Sequence, residues 1–435
     1  MSFEKILRQS LIWRGLYFFT LLLLNVVLSR VLQAEGVGWV YYLTNFFSLI
    51  LLVASLSMES AYTYYASGNQ IHHNKLAWFS IIWTACIAVI LAIFLGIYFS
   101  KIKQESVVVT QNYLLYALTY ICGILLINFF SVLFYARKNF FTPNIILGSI
   151  NLGLIVGMII VHRYNYSYTF LVKGYFIAIL IQGILLAFSF LYLNKGITQF
   201  LSPQKSELKL MFRYALIALA GNLLFFFMYK IDYWFVKYYC NANSLGNYIQ
   251  ASKLSQMVLI VPQIIASVIF PHTSEGSKQN NVGDSILILF RVMLQTFFVL
   301  IFAVWLFGAG FFIQIFGNSF NQLHIPFLIL LPGIFSISIS VLLAAFFSGN
   351  GLGKYNVIGT GIGLLIVVIL DLLLINKFGI IGAAISSSVG YFGFLCFGLF
   401  QFNRLHPFQL KQLFAFTLHD WLWVKKVLFS KKQQS

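Results

Sequence analysis

The chain has 435 residues, of which 60% are hydrophobic and only 9% charged, and its mean hydropathy is +0.88. A soluble globular domain carries about 25% charged residues, so this composition excludes that class and points to a polytopic membrane protein. The net charge of +18, from 28 Lys and Arg against 10 Asp and Glu, is partly the Lys and Arg that cytoplasmic loops collect.

A run of roughly 20 apolar residues crosses a bilayer core. The first run, Leu11 to Val31, is longer than a signal-peptide core and lacks a small-residue cleavage pattern, so it reads as the first transmembrane helix. In chain order, spans are expected at 11–32, 40–66, 76–99, 112–136, 143–162, 169–193, 212–237, 245–270, 286–316, 324–348, 355–375 and 379–402. The ninth is long enough to tilt or to extend past the bilayer. Pro262 in span eight and Pro332 in span ten are expected to kink their helices, as hinges or as static bends. Cys86, Cys122, Cys240 and Cys396 lie in or beside apolar spans without metal or disulfide spacing, and read as packing residues.

Basic residues fix the expected orientation. With the N-terminus in the cytoplasm, Lys5, Arg8, Arg14, Lys75, Arg137, Lys138, Lys205 and Lys209 fall inside, and the outer loops keep few. Both termini are therefore expected in the cytoplasm. The last residues mix Phe, Leu and Trp with Lys425, Lys426, Lys431 and Lys432, the pattern of a helix lying on the cytoplasmic leaflet.

The longest connection, 194–211, divides the spans six and six, which suggests a duplication. Ala34-Glu35-Gly36-Val37-Gly38 after span one corresponds to Ala242-Asn243-Ser244-Leu245-Gly246 after span seven. Ala136-Arg137-Lys138-Asn139-Phe140 after span four corresponds to Gly349-Asn350-Gly351-Leu352-Gly353 after span ten. Six helices per half, both starting inside, give parallel repeats, with a binding site expected in a central cavity between them. The expected organisation is an N-terminal half 1–197, a cytoplasmic linker 198–211, a C-terminal half 212–403 and a basic amphipathic tail 404–435. The fold class is all-α.

A charge within the bilayer costs at least about 2.5–3.5 kcal/mol at its centre, so each one calls for a reason. Lys230, Asp232 and Lys253 lie in spans seven and eight, Glu59 in span two and Arg14 in span one. Lys230 and Asp232 are two apart, so on a helix they point to different sides. Two readings stand: a hydrated basic cavity, or interhelical ion pairs such as Asp232 or Glu59 with Lys230. Asp371 and Arg291, near span ends, are expected at an interface, as are His162 and His324.

No residue pattern supports catalysis, a metal or a cofactor, and nothing points to nucleic acid. Gly349 to Lys354 is Gly-rich but has no preceding strand, so it is not a P-loop. The outer loops are too short to build the catalytic surface of a glycan polymerase or ligase.

Three stretches resemble the polysaccharide transporter family, which includes O-antigen and capsule-repeat flippases of the multidrug/oligosaccharidyl-lipid/polysaccharide exporter superfamily. They are Lys230-Ile-Asp232-Tyr-Trp-Phe-Val, then Ser244-Leu-Gly246-Asn-Tyr248 through Lys253, then Val268-Ile-Phe-Pro271-His-Thr-Ser274. Gly379-Ile-Ile-Gly382-Ala-Ala-Ile-Ser resembles the family's approach to span twelve, and Arg14 and Gly36-x-Gly38 also fit. One departure is Tyr233, where the family often has Arg.

The resemblance implies a flippase that moves undecaprenyl-diphosphate-linked oligosaccharide across a bacterial cytoplasmic membrane by alternating access. Arg14, Lys230 and Lys253 would bind the anionic head group. Glu59 and Asp232 would couple an ion, H+ or Na+, or tune the lysines. Its partners would be the lipid-linked oligosaccharide, the bilayer and a glycan polymerase. The alternatives are an ion-coupled multidrug exporter or a peptidoglycan lipid-precursor flippase of the same superfamily. From another class comes a membrane polymerase or ligase.

Overall fold

The structure, a computed structural model, describes residues 3–67, 70–101, 113–164, 167–195, 200–274, 279–415 and 420–422. These residues are helical with short turns, and no strand occurs among them. Ten helices among them are long and apolar enough to cross a membrane. Two of the ten are each broken into two span-length pieces, which brings the described spans to the expected twelve. The expected tail helix lies largely outside the described residues.

The chain divides into two compact units, Met1–Leu223 and Leu224–Ser435. Unit 1 holds α1 (Phe3–Ser55), α2 (Met58–Ser67), α3 (His73–Lys101), α4 (Tyr113–Ala136), α5 (Phe141–Arg163), α6 (Tyr168–Leu193) and the start of α7 (Lys205–Tyr239). α1 breaks at Gln33 (φ 58), whose side chain donates to the Arg30 carbonyl at 2.8 Å and so occupies a carbonyl at the end of the first piece. α4 is the hub, packed on α1, α2, α3 and α6. Its approach to α6 requires glycine: a Cβ at Gly123 would sit 2.7 Å from the Ile179 backbone, and one at Gly183 would sit 2.7 Å from the Gly123 carbonyl.

Unit 2 holds the rest of α7, then α8 (Ala242–Met257), α9 (Ile260–Ser274), α10 (Gln279–Phe316), α11 (His324–Gly349) and α12 (Lys354–Leu405). Its hub is α11, packed on α8, α9, α10 and α12. The long ninth span, in α10, contains a break at Gly308 (φ 64). α12 breaks at Gly379 (φ 56), between spans eleven and twelve. Pro332 lies inside α11 without a break in its helical backbone.

In each unit the second span is two helices. Unit 1 interrupts it at Leu56 and Ser57, both left-handed (φ 49 and 56). Unit 2 interrupts it at Val258 and Leu259. The expected kink at Pro262 is thus a break just before it, and Pro262 sits in the first turn of α9, where a missing N–H costs no helix bond. A break at membrane depth is tolerated only where freed backbone groups find partners. In unit 1 they do: the Trp83 indole donates to the Ala54 carbonyl (3.1 Å) and Ser57 N–H donates to Ser55 Oγ (3.1 Å).

Candidate functional site

In unit 2 the stretch Lys230–Tyr233 of α7 meets α8 in a buried polar network. Lys230 Nζ donates to Tyr233 OH (3.1 Å) and to Gln256 Oε1 (3.0 Å). Both Tyr233 OH and Gln256 Nε2 donate to Ser252 Oγ, each at 2.9 Å. The ammonium therefore rests on neutral acceptors. It has three donors, and two of them are used here. Among the described residues no ion pair involves Lys230, so the alternative of an Asp232–Lys230 bridge is not realised.

Asp232 is taken up elsewhere. Its Oδ2 accepts from the Tyr248 hydroxyl and from Ser387 Oγ at 2.8 Å, while Oδ1 receives no well-formed hydrogen bond. Asp232 is 1% exposed. The two-residue offset from Lys230 sends the two side chains to different partners, as helical geometry requires.

Asp371, expected at an interface, is instead fully enclosed in the protein on α12. Neither of its oxygens receives a well-formed hydrogen bond, because the neighbouring Ser386 hydroxyl donates to the Gly382 carbonyl at 2.9 Å. An acid can stand near a helix end in sequence and still point into the bundle.

Electrostatic neighbours order the charges. Lys253 interacts with Lys230, Lys230 with Asp232, and Asp232 with Asp371. Two cations therefore occupy one end of a strip and two acids the other. The structure brings the expected Lys230, Asp232 and Lys253 together within unit 2. Sequence reasoning missed the roles of Tyr248, Ser252, Gln256 and Ser387, and misplaced Asp371. Tyr248, Ser252 and Gln256 recur every four residues, one polar face of α8, and that spacing was the available signal.

Arg14 and Glu59 belong to unit 1. Arg14 on α1 lies over the Tyr135 ring of α4, 5.3 Å from its centroid, a cation–π contact. Glu59 opens α2, half-buried, with its Oε2 lacking a well-formed hydrogen bond. Arg291 does not stand free at an interface: it forms a bidentate pair with Asp420 (2.6 and 2.9 Å) and donates to the Gln412 carbonyl (3.0 Å). That contact ties the segment after α12 back onto α10. Among the described residues, no group of three or more His, Cys, Asp or Glu could hold a metal ion.

Residues 13–277 match the polysaccharide biosynthesis protein family. The chain belongs to that family. A curated relative, a probable low-salt glycan biosynthesis flippase, Agl15, of Haloferax volcanii, is 24% identical over 212 residues. The match covers 46% of this chain and 43% of that protein, so the chain spans less than half the length of the relative it matches. Among solved structures, the lipid II flippase MurJ in an inward closed conformation gives a TM-score of 0.68 at 16% identity, covering 99% of this chain and 93% of that one. An inward-facing multidrug resistance MATE family transporter gives 0.67 at 15% identity, covering 93% and 95%. At these identities the likeness is one of fold. The family member is thus an all-α, multi-pass membrane protein with a transporter fold.

Proposed function

We propose that the chain is a flippase for polyprenyl-diphosphate-linked oligosaccharide, undecaprenyl-linked in a bacterial cytoplasmic membrane, working by alternating access and without covalent catalysis. The observation that carries this reading is Lys230: a cation in an apolar helix, held by neutral groups, with one donor left and a second lysine beside it. Burying like charges together is expensive unless an anion joins them. A diphosphate is such an anion, and ammonium groups bind phosphate as point charges. Lys230 and Lys253 in unit 2, and Arg14 in unit 1, are its proposed contacts.

The acidic end of the strip serves coupling. Asp232 and Asp371 are enclosed, near one another and under-supplied with hydrogen bonds. Two such carboxylates favour a proton or a sodium ion between them. Glu59 is a second candidate for that role. The proposed moving parts are the six-helix halves 1–197 and 212–403, joined by residues 198–211, of which 205–211 already belong to α7. Both termini lie in the cytoplasm and the tail 404–435 lies on its leaflet. A glycan polymerase would consume the product.

The test is a deletion strain. Lipid-linked oligosaccharides are extracted, and the membrane face they occupy is read on intact spheroplasts with an impermeant lectin or glycosidase. Complete repeat units trapped inside, and released by restoring the gene, support the reading. Unchanged lipid-linked glycans on the outer face would overturn it in favour of an exporter. Single unextended units outside would indicate a lost polymerase.

A further inference from the structure

Unit 1 contains a row of tyrosines that the charged strip of unit 2 does not explain. Arg14 covers the Tyr135 ring. Tyr17 is a neighbour of Tyr135, and Tyr175 is a neighbour of Tyr17, Tyr41 and Tyr120. The row draws on α1, α4 and α6, three packed helices of one unit. Its back wall is aromatic: Phe176 lies 5.4 Å from Tyr175 and 6.2 Å from Tyr120, ring centre to ring centre.

The hydroxyls are not all consumed by packing. Ser48 Oγ gives its one proton to the Thr44 carbonyl at 2.6 Å. In the 2.8 Å contact between Ser48 and Tyr120 the tyrosine must therefore be the donor, which leaves its oxygen free to accept. Tyr17, Tyr120, Tyr135 and Tyr175 lie deep in the unit yet each keeps part of its surface open. They are therefore not sealed within a core. Arg14 is the charged group that lies against the row, at Tyr135.

This chemistry fits a neutral polyhydroxylated ring. Tyrosine offers a rigid apolar face and a hydroxyl at low entropic cost, and a sugar presents C–H faces edged with hydroxyls. Resting on the flippase reading above, we propose that Tyr17, Tyr120 and Tyr175 form a saccharide subsite backed by the buried Tyr41, with Arg14 at its end as a seat for phosphate. The subsite selects cargo that carries sugar over the bare lipid carrier.

The experiment uses the full-length protein in nanodiscs. Two probes are titrated: undecaprenyl diphosphate bearing one N-acetylglucosamine, and undecaprenyl diphosphate alone. The wild type is expected to bind the glycosylated probe more tightly. Y120F and Y175F, which keep the rings, are each expected to lower that preference by about twofold to tenfold, the value of one hydrogen bond. Arg14→Gln should weaken both probes and leave their ratio in place. Equal binding of the two probes by the wild type, or a ratio unmoved in both Tyr→Phe variants, would overturn the subsite while the flippase reading stands. Failure to bind either probe would overturn both.

Discussion

In unit 1 the fourth span ends at Ala136 and the chain turns through Lys138 with φ 60; in unit 2 the tenth ends at Gly349 and turns through Gly351 with φ 72. The hydrogen bonds of the two turns match. Asn139 N–H donates to the Phe134 carbonyl (3.0 Å) and Lys138 N–H to Tyr135 (2.9 Å); Leu352 N–H donates to Phe347 (2.7 Å) and Gly351 N–H to Ser348 (3.1 Å). Both are helix ends closed by a left-handed residue. Each unit also breaks its second span and packs around its fourth span. The interiors differ. Among the described residues, the fully buried acids Asp232, Asp371 and Asp420 all lie in unit 2. Unit 1 buries neutral chains such as Thr20–Asn151–Gln182, linked at 3.0 and 2.8 Å. The backbone plan recurs because turn geometry and packing constrain it. Buried charge is costly, so it stays where it serves a purpose, and unit 2 is where the charged chemistry is concentrated.

Removing that charge is the strongest way to break the contrast. Lys230→Met deletes a charge-assisted contact of about 1.5–3 kcal/mol, so transport is expected to fall by about tenfold to hundredfold. Accumulation of lipid-linked glycan on the inner face of spheroplasts reads it out. A Lys230→Met strain that transports normally would remove the lysine from the site. In unit 1 the matched test is Gln182→Leu. It should lower thermal stability by about 1 kcal/mol through the lost bond to Asn151, and leave transport unchanged.

Packing gives the next effect. Gly382→Ala would place a Cβ 2.5 Å from the Leu374 carbonyl oxygen, and Gly123→Ala one 2.7 Å from the Ile179 carbonyl. Each is expected to cost about 1–3 kcal/mol, the range for overpacking. Thermal unfolding in detergent checks both, with Gly153→Ala as the comparison, because nothing lies within 4 Å of its added Cβ. An equal loss in all three would show that helix packing does not set these glycines.

The twelve spans were legible because hydropathy alone drives them into lipid, and Lys230, Asp232 and Lys253 were legible because charge inside such a run stands out. Their partners were not. Tyr248, Ser252 and Gln256 are ordinary residues until α8 puts them on one face, and Ser387 meets Asp232 across 155 positions of chain. Asp371 was misread because distance along a helix says nothing about which way the side chain points. The break at Leu56 and Ser57 carries no Gly or Pro. Tertiary partners for the freed backbone hold it, and those cannot be read locally.

The smallest test sharpens the likeness of the halves. A Cβ added at Gly351 would meet nothing within 4 Å, so Gly351→Ala should cost the left-handed strain, about 1 kcal/mol, less the unfolded-chain freedom it removes, for a net loss of a few tenths of a kcal/mol. Lys138 already bears that strain at φ 60. Lys138→Gly should relieve it, but glycine also gains freedom in the unfolded chain worth about 0.5–1 kcal/mol. The expected net gain is therefore a few tenths of a kcal/mol, read as a small rise in thermal midpoint. If the two turns are equivalent, the substitutions move stability in opposite directions by about the same amount. A loss of stability in Lys138→Gly would mean that the lysine side chain makes up the strain by a contact of its own, and that the two turns share a backbone without sharing its energetics.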